Sequence, residues 1–170
     1  VGVDVVVADG GDELEEEEFV RLNWVGPFSY GEDGLAESLL DRFGPSGKKK
    51  KLDAILNKSG LYTILGDHAL HGPRSLLYIG ETESFKQRFL EHDSWVSEED
   101  RVEVYVAKLK EPQRRKDVES LLIYAHSPIY NSRNVAEPPK LKPHLRVWNE
   151  GRYWKLFPEV SSQHEWHGES

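Results

Sequence analysis

The sequence predicts an α+β fold: a small, mainly antiparallel three-stranded sheet flanked by helices, with additions at both ends. Three observations carry this expectation. Two apolar runs, at 61–65 and 76–79, each hold a tyrosine and abut a glycine, Gly60 and Gly80, and such residues suit a pleated, half-buried surface. Val102, Val104 and Val106 alternate as a third strand would. Phe85 and Phe89 stand four apart, and Val118, Leu121, Leu122 and Ala125 follow the i, i+3, i+4, i+7 spacing of an amphipathic helix.

Taken in order, the chain opens on acid. Residues 1–18 hold eight carboxylates (Asp4, Asp9, Asp12, Glu13 and Glu15 to Glu18) and no Lys or Arg. Such a run reads as a mobile, solvated tail. It accounts for the whole net charge of −8, because the remaining residues carry 22 acids and 22 bases. Residues 19–58 read as an extension. An edge strand is expected at 19–24, and a helix at 34–43 closed by Gly44-Pro45. The four lysines that follow, Lys48, Lys49, Lys50 and Lys51, suit salt-dependent contacts with phosphates.

Residues 59–134 form the predicted core, with strands near 61–66, 75–80 and 101–108 and helices near 84–92 and 112–126. Gly66-Asp67-His68 and His71-Gly72-Pro73 are turn-prone and link the first two strands as a hairpin. Arg74 in this connection is expected to touch nucleic acid, since loops on a rigid scaffold often carry substrate contacts. In 135–170, Pro138-Pro139 and Pro143 mark a loop. A small hairpin is expected from 145–148 and 152–155. Its Arg146 and Arg152, interleaved with Trp148, Tyr153 and Trp154, suit phosphate pairing and base stacking.

Composition narrows the class. Charged residues at 31% and hydrophobic ones at 38% fit a soluble globular protein, and no apolar run approaches the length of a membrane span. The chain has no cysteine, which removes disulfides and thiolate metal sites together and fits a reducing, cytoplasmic setting. There is no internal repeat, nucleotide-binding glycine loop or nucleophile elbow.

The chemistry-bearing residues of the core come in a telling order: Gly60-Leu61-Tyr62, Tyr78-Ile79-Gly80, Arg88, His92 one helical turn later, Glu119 and Asn131. This series resembles the GIY-YIG nuclease superfamily over residues 59–134. There are three departures, of which Leu61 in place of isoleucine should not matter to the chemistry. The connection between the tyrosines, 63–77, is longer than in the simplest members, and Glu81 stands where many relatives carry lysine.

The resemblance implies a metal-dependent DNA endonuclease. Tyr62 would activate the attacking water with His92 assisting, and Tyr78 would order that water or the phosphate. Arg88 would stabilise the crowded phosphorus, and Glu119 would bind one divalent ion, Mg²⁺ or Mn²⁺. Asn131 would pin the glutamate's helix to the sheet or contact DNA. The residue types suit these tasks. A carboxylate is a hard oxygen ligand, and a guanidinium meets phosphate oxygens with a fixed fork. A phenol of pKa about 10 is a poor base unless its proton is relayed. An inactive nucleic-acid-binding module, or a ribonuclease or toxin with the same site, are the alternatives; RNA is not excluded as partner, and oligomeric state stays open.

Overall fold

The computed structural model describes residues 16–29 and 54–163. The expected helix at 34–43, Lys48 to Lys51 and most of the acidic run lie outside the described residues. Eight elements follow in order: β1 (Glu17–Ser29), β2 (Gly60–His68), β3 (Gly72–Thr82), α1 (Phe85–Val96), β4 (Asp100–Lys108), α2 (Pro112–His126), β5 (His144–Gly151) and β6 (Glu159–Ser161).

The three-stranded sheet of the sequence reading is corrected. The six strands form one mixed sheet in the order β3-β2-β4-β1-β5-β6, so the fold is mostly β. β2, β3 and β4 coincide with the expected strands, but β4 is not an edge. β1 pairs with it antiparallel, then pairs with β5 in parallel. The expected edge strand at 19–24 is therefore interior. Burial explains why: Leu22 and Trp24 alternate inward at 0% and 1% exposure, and the Trp24 indole N–H donates to the buried Asn149 carbonyl at 2.8 Å.

The expected hairpin at 145–148 and 152–155 is corrected as well. β5 pairs instead with β6. Between them the chain turns at Gly151 (φ 76°) and Lys155 (φ 66°), and the Arg152 amide donates to the Trp24 carbonyl. The acidic run does not end in a free tail either. Glu17 and Glu18 belong to β1; Glu17 accepts from Arg146 at 3.0 Å, and Glu18 pairs with Arg114.

The sheet has a core on each face. One gathers Leu61, Ile79, Tyr105, Leu145 and Val147 under Val118, Leu121, Leu122 and Ala125 of α2. The other gathers Tyr62, Ile64, Val104 and Val106 under Phe85, Phe89 and Val96 of α1. Fully burying a phenylalanine contributes about 1.5–3 kcal/mol, so Phe85 and Phe89 clamp α1 to this face. Single-residue irregularities switch faces where a regular strand could not. One between Val25 and Phe28 takes β1 from the first core at Trp24 to the second at Phe28. Two more, against Ile64/Leu65 and Gly66/His68, absorb the long connection between the tyrosines into β3. The expected loop at 66–75 thus shrinks to the turn between His68 and Gly72.

Among the described residues, no helix is long and apolar enough to cross a membrane.

Candidate active site

Both tripeptide glycines are explained by close approach. A Cβ on Gly60 would collide with the Ala107 carbonyl of β4 and lie 2.7 Å from Phe85. One on Gly80 would overlap the Tyr62 hydroxyl and lie 2.8 Å from its Cε1. Without it, the Tyr62 ring lies across β3 and reaches α1.

There, Tyr62 Oη is 2.6 Å from His92 Nε2. Its ring stacks on Tyr78 with centroids 6.0 Å apart and meets Phe89 edge-on at 5.6 Å. Tyr62 is 1% exposed, whereas Tyr78 is half-buried. Of the two, Tyr78 is the one that a substrate could reach. Burial, above all, pushes the Tyr62 phenol far above its ordinary value; the Tyr78 and Glu119 charges add to the rise and Arg88 opposes it. Tyr78 is also raised, first by burial and then by Glu119, while Arg88, the Tyr62 hydroxyl and Arg133 pull it down. Burial, then the Arg88 charge, lowers His92 to about 4, so its ring is neutral at pH 7.

Arg88 of α1 is the electrostatic centre of this group: its charge acts on Tyr62, Tyr78, His92 and Glu119 alike. Nη1 pairs with Glu91 at 3.0 Å. Nε is buried and has no hydrogen-bond partner. An unpaired buried donor is costly, by about 1–3 kcal/mol, and is the kind of group that an incoming oxygen satisfies.

Glu119 and Asn131 line the open side of β3. As the sheet's end strand, β3 presents unpaired backbone groups outward. Asn131 pairs with Ile79 twice, accepting its N–H at 2.9 Å and donating to its carbonyl at 3.0 Å. The Ile129 and Tyr130 amides donate to the Leu76 and Leu77 carbonyls. Glu119 Oε1 accepts the Glu81 N–H at 3.0 Å. Of the two roles open to Asn131, the geometry gives pinning, although the anchored partner is the turn after α2. Burial first, and the Glu81 carboxylate, raise the Glu119 carboxyl; the Glu81 N–H, Arg88 and Lys116 favour its ionised form. Glu81, where relatives often carry lysine, accepts from the buried Arg115 at 2.9 Å.

All six expected site residues thus meet at one end of the sheet, drawn from β2, β3, α1, α2 and the turn after α2. The expected nucleic-acid contacts do not join them. Arg74 sits in β3 with φ 51°, donates twice to Glu103 and once to Tyr105, and lies over the Trp154 ring at 4.6 Å. Arg146 is held by Glu17 and Glu159. Arg152 is exposed. Three residues near the site lie outside the six expected ones: Trp95, whose indole donates to His92 Nδ1 at 2.8 Å, and the cations Arg133 and Lys116. Trp95 had a signal, since it follows His92 by three and shares its helical face.

Among the described residues, no group of three or more His, Asp or Glu side chains could hold a metal. Glu119 has Oε1 engaged by the Glu81 N–H, and the neighbouring Glu81 carboxylate is held by Arg115. No protein-family model matches this chain, and neither a curated protein nor a solved structure matches it.

Proposed function

We propose that this chain is a metal-dependent endonuclease that hydrolyses DNA phosphodiester bonds at the Tyr78, Arg88 and Glu119 cluster, by GIY-YIG-type chemistry. The observation that carries the reading is Arg88: a guanidinium Nε shut away from solvent without a partner, beside two tyrosines and a carboxylate from three other elements. A phosphate oxygen suits such a donor, because the bond would be charge-assisted and the fork can grip two oxygens.

Arg88 would offset the charge that builds on the phosphorus as water attacks and the 3′ oxygen leaves. Tyr78 would present its hydroxyl to the phosphate or the water, with Tyr62 behind it. Tyr62 is too buried to meet that water directly, so Tyr78 takes the exposed role. Glu119 fits a divalent ion as a single hard-oxygen ligand, waters and substrate phosphate filling the other positions, as is common for Mg²⁺; Mn²⁺ is the alternative. Such an ion, when bound, lowers the pKa of its water and neutralises phosphate charge. Glu119 would fix that ion's place relative to Arg88, and Asn131 would hold the strand carrying Tyr78.

The test is cleavage of a supercoiled plasmid with Mg²⁺, beside a labelled RNA. Arg88→Ala should lower turnover about 10²–10³-fold, the scale of removing one preorganised transition-state donor. Arg88→Lys should recover only part, since it keeps the charge and loses the fork. Near-normal turnover in the alanine variant would reduce Arg88 to an ion-pair partner of Glu91. Cleavage of RNA alone would make the chain a ribonuclease.

A further inference from the structure

The hydrogen bonds around His92 have a direction. Trp95 Nε1 lies 2.8 Å from His92 Nδ1, and an indole N–H can only donate. Nδ1 must therefore offer its lone pair. A neutral imidazole carries one proton, so that proton sits on Nε2, 2.6 Å from Tyr62 Oη. The Tyr62 oxygen is then an acceptor from His92. Its own proton needs another acceptor, and at 1% exposure that acceptor is not bulk water. The Tyr78 ring stacks beside it, with centroids 6.0 Å apart.

We propose that Trp95 is a positioning residue that locks His92 in the Nε2–H tautomer, so that donors run in one direction, from Trp95 through His92 to Tyr62. The inference rests on the nuclease reading only for its consequence, not for its geometry. The lowered His92 pKa agrees with it, because a protonated ring would have to surrender the Trp95 bond.

The direction has a chemical result. In the resting site His92 cannot take the Tyr62 proton, since Nε2 already holds one and Nδ1 is occupied. This reverses the assistance that the resemblance implies. Each donated bond polarises the next group, so the row ends at the Tyr62 hydroxyl, whose ring stacks on the reachable Tyr78. Tyr62 then stands as an acceptor from His92 and not as a base whose proton His92 removes, and no proton leaves the row.

The experiment reads the tautomer directly. Long-range ¹H–¹⁵N spectra of the ¹⁵N-histidine-labelled protein, without substrate, should place the His92 proton on Nε2. Trp95→Phe keeps an aromatic ring against His92, Tyr78 and Tyr130 and deletes the N–H together with the pyrrole part of the indole. In that variant a substantial share of the proton should move to Nδ1, with Nε2 now accepting from Tyr62. A wild-type proton on Nδ1, or a tautomer unchanged in Trp95→Phe, overturns the proposal. In cleavage assays the same variant should lose about tenfold in kcat with KM unchanged, the rate equivalent of one hydrogen bond. Unchanged kcat despite a shifted tautomer would overturn the positioning role. A wild type that cuts neither DNA nor RNA would sink the nuclease reading, while the spectra still decide the tautomer.

Discussion

A methyl group on Gly80 would overlap the Tyr62 hydroxyl, so this position governs where the inner phenol lies. Gly80→Ala should push Tyr62 away from His92 and lower turnover about 10²-fold, as small misplacements at a reacting centre do. The thermal unfolding midpoint should fall as well, because the displaced ring is buried and overpacking a core is destabilising, so turnover is compared per folded molecule. Wild-type turnover in this variant would mean that the Tyr62 to His92 contact is irrelevant to the chemistry. At this scale the sequence was informative where a residue type has one demanding task. Tyr62, Tyr78, Arg88, His92, Glu119 and Asn131 were legible because order and spacing tie each to an element. Trp95 was not, because an indole near a helix end looks like packing until its N–H is seen to face a ring nitrogen. Arg74 and Arg146 misled for a related reason. Charge along a sequence does not reveal that Glu103, Glu17 and Glu159 lie within reach.

Among the elements, β3 explains why Glu119 and Asn131 sit where they do. Its outer edge would otherwise offer the Ile79 and Glu81 amides to any passing strand. The two Asn131 bonds imitate the pairing of a neighbouring strand. Asn131→Ala should cost about 1–3 kcal/mol, the range for leaving buried polar groups unpaired, read as a lower midpoint in urea. A shift below about 0.5 kcal/mol, the level of ordinary surface changes, would show that water replaces Asn131 there. β2, β3, β4 and both helices were legible because their patterns are local. Pro112 and the Glu111 side chain, which accepts from the Arg114 amide at 3.1 Å, mark the start of α2. The β1 to β5 pairing was not legible. The partners are more than a hundred residues apart, and parallel strands need no tight turn that a sequence would advertise. Asn149 hides it further, interrupting the apolar alternation of Leu145 and Val147 while being buried by its bond to Trp24.

For the molecule as a whole, two neutral histidines tie the parts together and set a pH response. His126, at the end of α2, donates from Nδ1 to the Leu122 carbonyl and accepts the Phe157 N–H at Nε2, each at 2.8 Å. Burial lowers it to about 4, as it does His92. Above pH about 6.5 both are neutral folded or unfolded. As pH falls from there toward 4, the unfolded chain takes up protons that the folded one refuses, so stability falls. The unfolding midpoint should therefore drop between pH 7 and 5.5, before most carboxylates titrate, and His126→Gln should flatten that slope. A midpoint constant across this interval would contradict the assignment. The site itself exists only when β2, β3, α1 and α2 are assembled, and its central claim concerns Glu119. Glu119→Gln is the sharpest probe, because the amide oxygen can still accept the Glu81 N–H while the charge for a metal is gone. The decisive measurement is single-turnover cleavage of plasmid DNA with Mg²⁺ and with EDTA, for the wild type and Glu119→Gln. EDTA and the substitution should each abolish cutting while DNA binding persists; robust cleavage in EDTA, or by Glu119→Gln, would contradict a metal held at Glu119.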